Sequence, residues 1–202
     1  MSTSRKSSAR AARPKRGTPE ETRARLVATA AEVFNRDGYD GTDTNRIARE
    51  AGYSPGLFYK HFPDKRAIFV AVYDAWVAEE WRAVETLLAA PRSRDTARAL
   101  VELVVSLHQR WRGFRRSLRA LAGVDPEIKR AHLAGRKRQL DTLARLRGRD
   151  ASAARDDRAR DLLLLYSLER AADALADSEL DWLAVRRADL LGLLEDLVAS
   201  AL

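Results

Sequence analysis

The sequence contains no cysteine, so neither a disulfide framework nor a thiolate metal site can form. Its three histidines, His61, His108 and His132, lie too far apart for a local metal motif. No apolar run approaches the roughly 20 residues of a membrane-spanning helix, and the basic N-terminus lacks the apolar centre of a signal peptide. P-loop, dinucleotide-binding and nucleophile-elbow motifs are missing, as are internal repeats and strand-like alternation. These absences predict an all-α, soluble, cytoplasmic protein with no metal, no cofactor and no membrane partner. With 202 residues, 46% of them apolar, the chain can bury a substantial core.

Positive charge is in surplus, +8 overall, and unevenly spread. Residues 1–65 hold 13 Lys/Arg against 8 Asp/Glu, whereas residues 66–202 hold 24 against 21. The excess per residue therefore sits at the N-terminal end, as expected of a surface that meets phosphates. Residues 1–17 carry six basic residues and no acid, which predicts a disordered arm. Such an arm can lie along DNA or serve only as a solubilising tail, and both readings are open.

Thr18, Pro19, Glu20 and Glu21 form a helix start, and the following segment to about Arg36 has Leu26, Val27, Ala30, Val33 and Phe34 on its apolar face. The stretch 42–65, TDTNRIAREAGYSPGLFYKHFPDK, then contains two short helix signals around a tight turn. Asp43 is an N-cap residue, Ile47, Ala48 and Ala51 make an apolar face, and Gly52 closes the helix. Ser54 caps the second helix and Pro55 suits its first position. At about 100° per residue, Pro55, Gly56, Tyr59 and Lys60 share one side while Leu57, Phe58, His61 and Phe62 turn away. That pattern, with a motif at about 43–62, predicts a helix-turn-helix whose outward side suits the major groove. A plain packed helix pair is the alternative.

Residues 38–69 resemble the DNA-binding domain of the TetR family of bacterial transcriptional regulators. The matching pieces are Gly38-Tyr39, Thr42, Ile47-Ala48, Ala51-Gly52, Ser54, Gly56, Tyr59, His61-Phe62 and Lys65. The resemblance implies an N-terminal three-helix DNA-binding domain (18–65) and a C-terminal helical ligand-binding and dimerisation domain (66–202). It further implies a homodimer on a palindromic double-stranded DNA operator, usually a repressor released by a small-molecule effector. Carried over, it places Thr44, Asn45 and Arg46 at the start of the supporting helix, near phosphate and sometimes a base. Ser54 remains the cap of the reading helix. Pro55, Gly56, Tyr59 and Lys60 fall at groove-facing positions, and Tyr59, His61 and Lys65 at backbone contacts. Thr44 and Tyr53 depart from the family pattern, which more often has a small branched apolar residue and valine there.

Asp64 can cap a helix with no Pro or Gly between Lys65 and Ala90, long enough to leave one domain and enter the next. Further helices are expected at about 95–111, with Leu100, Leu103, Val104 and Leu107 inward, then 114–122 after a bend at Gly113, and 126–148. A charged loop follows at 148–156, then a helix to about Ala176 and one that Ser178 starts. Trp76, Trp81, His108, Trp111, Phe114, Leu118 and Tyr166 can wall a mostly apolar pocket, or form a solid core. The arginines at 115, 116 and 119 can orient an anionic ligand end or lie solvated. Leu162, Leu165, Leu190, Leu194 and Leu197 make the last two helices too apolar for one-sided burial, which suits a dimer interface; an ordinary buried pair is the alternative.

Two rival functions remain. A non-specific architectural DNA binder would need only the basic arm. An all-helical enzyme would need a paired nucleophile and base, whereas Glu169 and Asp173 look isolated on one helix.

Overall fold

The computed structural model describes residues 17–148 and 155–201. Among these residues there is no strand, and the helices are α1 (Pro19–Asp37), α2 (Thr44–Glu50), α3 (Pro55–His61), α4 (Lys65–Leu88), α5 (Arg94–Arg110), α6 (Arg112–Val124), α7 (Pro126–Leu146), α8 (Arg155–Ala176), α9 (Glu179–Trp182) and α10 (Arg187–Ala201). The fold is all-α, as the sequence implies. The basic arm, apart from Gly17, and the centre of the charged loop lie outside the described residues. None of the described helices is long and apolar enough to cross a membrane.

Most helix starts are set by side chains that the sequence marks. Thr18 and Glu21 form a reciprocal capping box: Thr18 Oγ1 accepts from the Glu21 amide at 3.2 Å, and the Glu21 carboxylate accepts from the Thr18 amide at 2.8 Å. Asp43, Ser54, Asp64, Ser93 and Asp125 cap α2, α3, α4, α5 and α7.

Helix α6 is different, because Trp111 at its N-cap makes no side-chain bond. Asn35 of α1 caps it from a distance in sequence. Asn35 Oδ1 accepts from the amides of Gly113 and Phe114 at 3.0 and 3.1 Å, and Nδ2 donates to the Arg110 carbonyl at 2.8 Å. The end of α5 and the start of α6 are thereby tied to α1. This approach requires Gly113, since a Cβ there would lie 1.9 Å from the Asn35 carbonyl oxygen. Gly113 consequently lies inside α6 instead of marking a bend before it, and Gly123 is also helical.

Two apolar cores share α4. The first joins Leu26, Val33 and Phe34 of α1, Ile47 and Ala48 of α2, Phe58 of α3 and the first half of α4 to Phe114 and Leu118 of α6 and Ile128 of α7. Ring pairs carry it upward: Phe34–Phe69 at 5.1 Å, Phe69–Phe114 at 4.7 Å and Trp76–Phe114 at 5.9 Å. The core beneath the short helices therefore crosses the expected 65/66 boundary. The second core packs Val84 against α5, α8, α9 and α10.

In α5 the buried positions are Thr96, Ala97, Leu100, Val101, Val104, Val105 and His108, with Leu103 and Leu107 only half-buried. The face is turned from the expected one because α5 is packed against α4, α8 and α10 at once. The last expected helix is broken in two. Ser178 adopts a left-handed conformation without making a capping bond, and α9 ends after one turn. Ala184 takes φ 52°, and the Val185 amide bonds back to the Leu180 carbonyl at 3.1 Å. This is a Schellman closure with alanine where glycine is usual, so the stop carries no strong sequence signal.

Asn35→Ala leaves two amides and one carbonyl without partners and is expected to cost about 2–3 kcal/mol in urea unfolding. Asn35→Asp, which keeps the acceptor for both amides, should recover part of the loss.

Candidate nucleic-acid interface and interior cavities

The turn between α2 and α3 is closed by Gly52 at φ 83°, with the Tyr53 amide donating to the Ala48 carbonyl at 2.8 Å. Ile47, Ala48, Ala51, Phe58 and Phe62 are buried beneath it. Ser54, Pro55, Gly56, Tyr59 and Lys60 are exposed, as the helical period predicts. One side of α3 is therefore anchored and the other presented.

Gly56 is informative because the protein's own packing does not require it. A Cβ at that position would meet nothing within 4 Å. Tyr59 Oη shares a 2.9 Å hydrogen bond with Thr44 Oγ1, which fixes the exposed face of α3 to the first turn of α2. Thr44, the departure from the family pattern, thus has a polar use here. Tyr53 packs at the edge of the first core with the Arg25 guanidinium over its ring at 5.9 Å. The side chains of Asn45, Lys60 and His61 make no hydrogen bond or ion pair among the described residues.

Two expected contact residues are engaged inside the protein. Arg46 pairs with Asp37 at 2.9 Å and with Glu50 at 3.0 Å, within a network that includes Arg36. Lys65 Nζ donates to the carbonyls of Tyr39 and Thr42 at 2.8 and 2.9 Å and lies 4.1 Å from the Tyr39 ring centre. This ammonium locks the turn between α1 and α2.

Residues 26–72 match the profile of the bacterial regulatory proteins of the tetR family. This stretch therefore carries the TetR-family DNA-binding profile. Among curated relatives, the HTH-type transcriptional regulator HbdR of Aromatoleum sp. (strain CIB) is 38% identical over 72 residues, covering 34% of this chain and 31% of that protein. The HTH-type transcriptional regulator Rv2250c of Mycobacterium tuberculosis (strain ATCC 25618 / H37Rv) is 31% identical over 93 residues, 46% of either chain. This chain thus spans less than half the length of these relatives. The similarity of fold extends further. The TetR-family regulator SCO4454 of Streptomyces coelicolor superposes with a TM-score of 0.65 at 24% identity, covering 90% of this chain and 96% of that one.

The residues expected to wall one pocket are dispersed. Trp76, Leu118 and Tyr166 line a cavity of about 240 Å³ between α4, α6, α7 and α8. Trp81 lines a different one, of about 90 Å³, between α4, α5, α7, α8 and α10. Phe114 and His108 are fully buried core residues. Trp111 packs against the first core, with the Arg110 guanidinium 5.4 Å from its ring centre.

The larger cavity sets paired charges into a mainly apolar wall. Arg136 holds Glu169 with two bonds of 2.9 and 2.6 Å. Asp173 receives Arg115 Nε and His108 Nδ1 at 2.9 Å each, and also pairs with Arg119. Arg116 and Arg119 both reach Asp177. Glu169 and Asp173 are therefore paired across helices instead of isolated, and the arginines expected to lie solvated or to meet a ligand are engaged by acids.

Burial would raise the Asp173 carboxyl, but the His108 hydrogen bond and the nearby Arg115 charge hold it well below the usual range. Burial pushes His108 down, so the neutral ring donates from Nδ1 to the carboxylate and leaves Nε2 without a partner. Trp76 Nε1, Arg136 Nε, His132 Nδ1 and Gln139 Oε1, on residues lining this cavity, are likewise buried and unpartnered. Among the described residues no group of three His, Asp or Glu side chains is placed to hold a metal ion.

Lys65→Ala removes the donor to two loop carbonyls and should destabilise the N-terminal helices by about 2 kcal/mol, read as a lower urea midpoint. A variant as stable as the parent would show that the lock contributes nothing.

Proposed function

We propose that this TetR-family protein is a sequence-specific DNA-binding regulator that lays α3 into the major groove. The observation that carries this reading is the presented side of α3. Gly56 faces open space, with the Tyr59 hydroxyl and the Lys60 ammonium beside it on a helix anchored by Phe58. Gly56 allows close backbone approach to DNA, while Tyr59 and Lys60 supply donors for base edges or phosphates. Asn45 and His61 extend the same surface with side chains that no protein group engages. Repression of a near-palindromic operator is the mode of action that the family membership favours.

The protein acts as a homodimer in this reading, because one short helix touches too few bases for useful specificity. The surface supporting it differs in register from the expected one. Leu165 and Leu194 are core residues, and Leu162 and Leu190 are half-buried. Leu163 on α8 and Leu193 on α10 are each 67% exposed, with Tyr166 and Leu197 one turn away. These four side chains are exposed apolar groups on two helices that pack together, and they are the candidates for the interface.

Release by a small molecule is supported by the cavities and by their linkage to the reading head. Arg115, Leu118, Arg119 and Ala122 on the cavity wall all belong to α6. The N-terminal turn of α6 is held by Asn35, and Ser117 Oγ accepts from the Tyr39 amide at 3.1 Å. A ligand that prefers a shifted α6 would move α1 and with it α3, and by linkage DNA would weaken ligand binding by the same factor.

Gly56→Ala tests the reading face without touching the core. Thermal stability should be unchanged or slightly raised, while affinity for the selected operator should fall at least tenfold. Tyr59→Ala and Lys60→Ala should each cost about 1–3 kcal/mol of binding if the side chain contacts a base. Full operator binding by a folded Gly56→Ala, Tyr59→Ala, Lys60→Ala triple variant would remove α3 as the reading helix. For the dimer, Leu193→Arg should give a folded monomer in sedimentation, whereas Leu194→Arg should unfold the chain. A dimeric Leu193→Arg protein would place the interface elsewhere.

A further inference from the structure

The cavity between α4, α5, α7, α8 and α10 has an apolar wall made by Val84, Leu100, Val104, Leu143, Leu164 and Leu168. One acid on that wall, Glu80, lacks the partners that buried acids normally have. Glu80 is 8% exposed and makes no hydrogen bond or ion pair among the described residues. A carboxylate placed in apolar surroundings without a counter-charge is costly. We propose that this cavity binds a small hydrophobic cation, its positive end at Glu80 and its apolar body against the leucines and valines. Trp81, the next residue and also on the wall, offers an indole ring to the same charge.

The charged groups around Glu80 leave this role to it. Glu169 is on the wall, but its carboxylate is held by both terminal nitrogens of Arg136. Arg147 pairs with Asp161, and Arg92 is exposed in the turn between α4 and α5. Farther off, Arg115 and Asp173 compensate each other. An anionic ligand would have to bring a second negative charge into the space that Glu80 lines. Burial pushes Glu80 up to about 7, with Arg115 and Arg136 pulling it down and Glu169 and Asp173 adding to the rise. A bound cation favours the ionised form, so its affinity should rise with pH through that value and fall below it.

The inference rests on reading the C-terminal helices as an effector domain, but binding can be measured without DNA. Isothermal titration of the full chain would compare hexyltrimethylammonium, whose charge does not titrate, with hexanol and hexanoate. The ammonium should bind at least tenfold tighter than either at pH 8, and lose about tenfold between pH 8 and pH 6, given a Glu80 value of about 7. Glu80→Gln, checked for an unchanged melt, should lose both the preference and the pH step. The wild-type pH profile is a second test that needs no variant. Tighter binding of hexanoate, a flat ammonium profile, or no binding would overturn the proposal. If the ammonium binds as described yet leaves operator affinity unchanged, the cavity assignment stands and it is the effector role that fails.

Discussion

The rest of the architecture depends on how Asn35 closes the first turn of α6. Helix α6 begins without a cap of its own, directly after α5 ends, at a point where both backbone amides and a carbonyl need partners. One amide side chain from α1 satisfies all three, and the missing Cβ of Gly113 lets the two backbones meet. The helix that supports the reading head and a helix that walls the larger cavity thereby become one mechanical unit. Phe34, Phe69, Phe114 and Trp76 continue the contact as packed rings from α1 into the interior. These contacts join a wall of the larger cavity to α1, which packs on α2 and α4.

The same economy governs charge at the DNA-facing end. Of the positive side chains near α2 and α3, Arg46 is neutralised by Asp37 and Glu50, and Lys65 is used up on two carbonyls and a ring. Lys60 remains exposed and unpaired at the centre of the presented face, next to a tyrosine whose hydroxyl is positioned by Thr44. Pre-positioning Tyr59 lowers the ordering cost of contacting DNA.

The helix-turn-helix was legible because everything that defines it is local. Asp43, Gly52, Ser54 and Pro55 act within two turns of where they sit, and the alternation of Phe58 with Tyr59 and Lys60 sets the face directly. The cap on α6 was not legible, since Trp111 gives no signal and the partner lies far away in sequence. The bonds of Lys65 to the carbonyls of Tyr39 and Thr42 are hidden for a related reason: a lysine at a helix start looks free until the turn that folds over it is seen. On α8 the run Leu162–Leu165 is apolar on every side, so its pattern carries no phase, and packing alone decides that Leu165 points inward and Leu163 outward. The bond of His108 to Asp173 leaves no local trace, because the partner comes from another helix.

The central claim is that α3, presented twice by a dimer, reads a defined DNA sequence. The most direct measurement is selection of bound sequences from a random double-stranded pool by the full chain. Enrichment of a near-palindrome whose half-sites are separated by one helical turn or a small multiple, bound at least about a thousandfold tighter than bulk DNA, is the expected result. Recovery of unenriched sequences, bound with bulk affinity at every salt concentration, would contradict it.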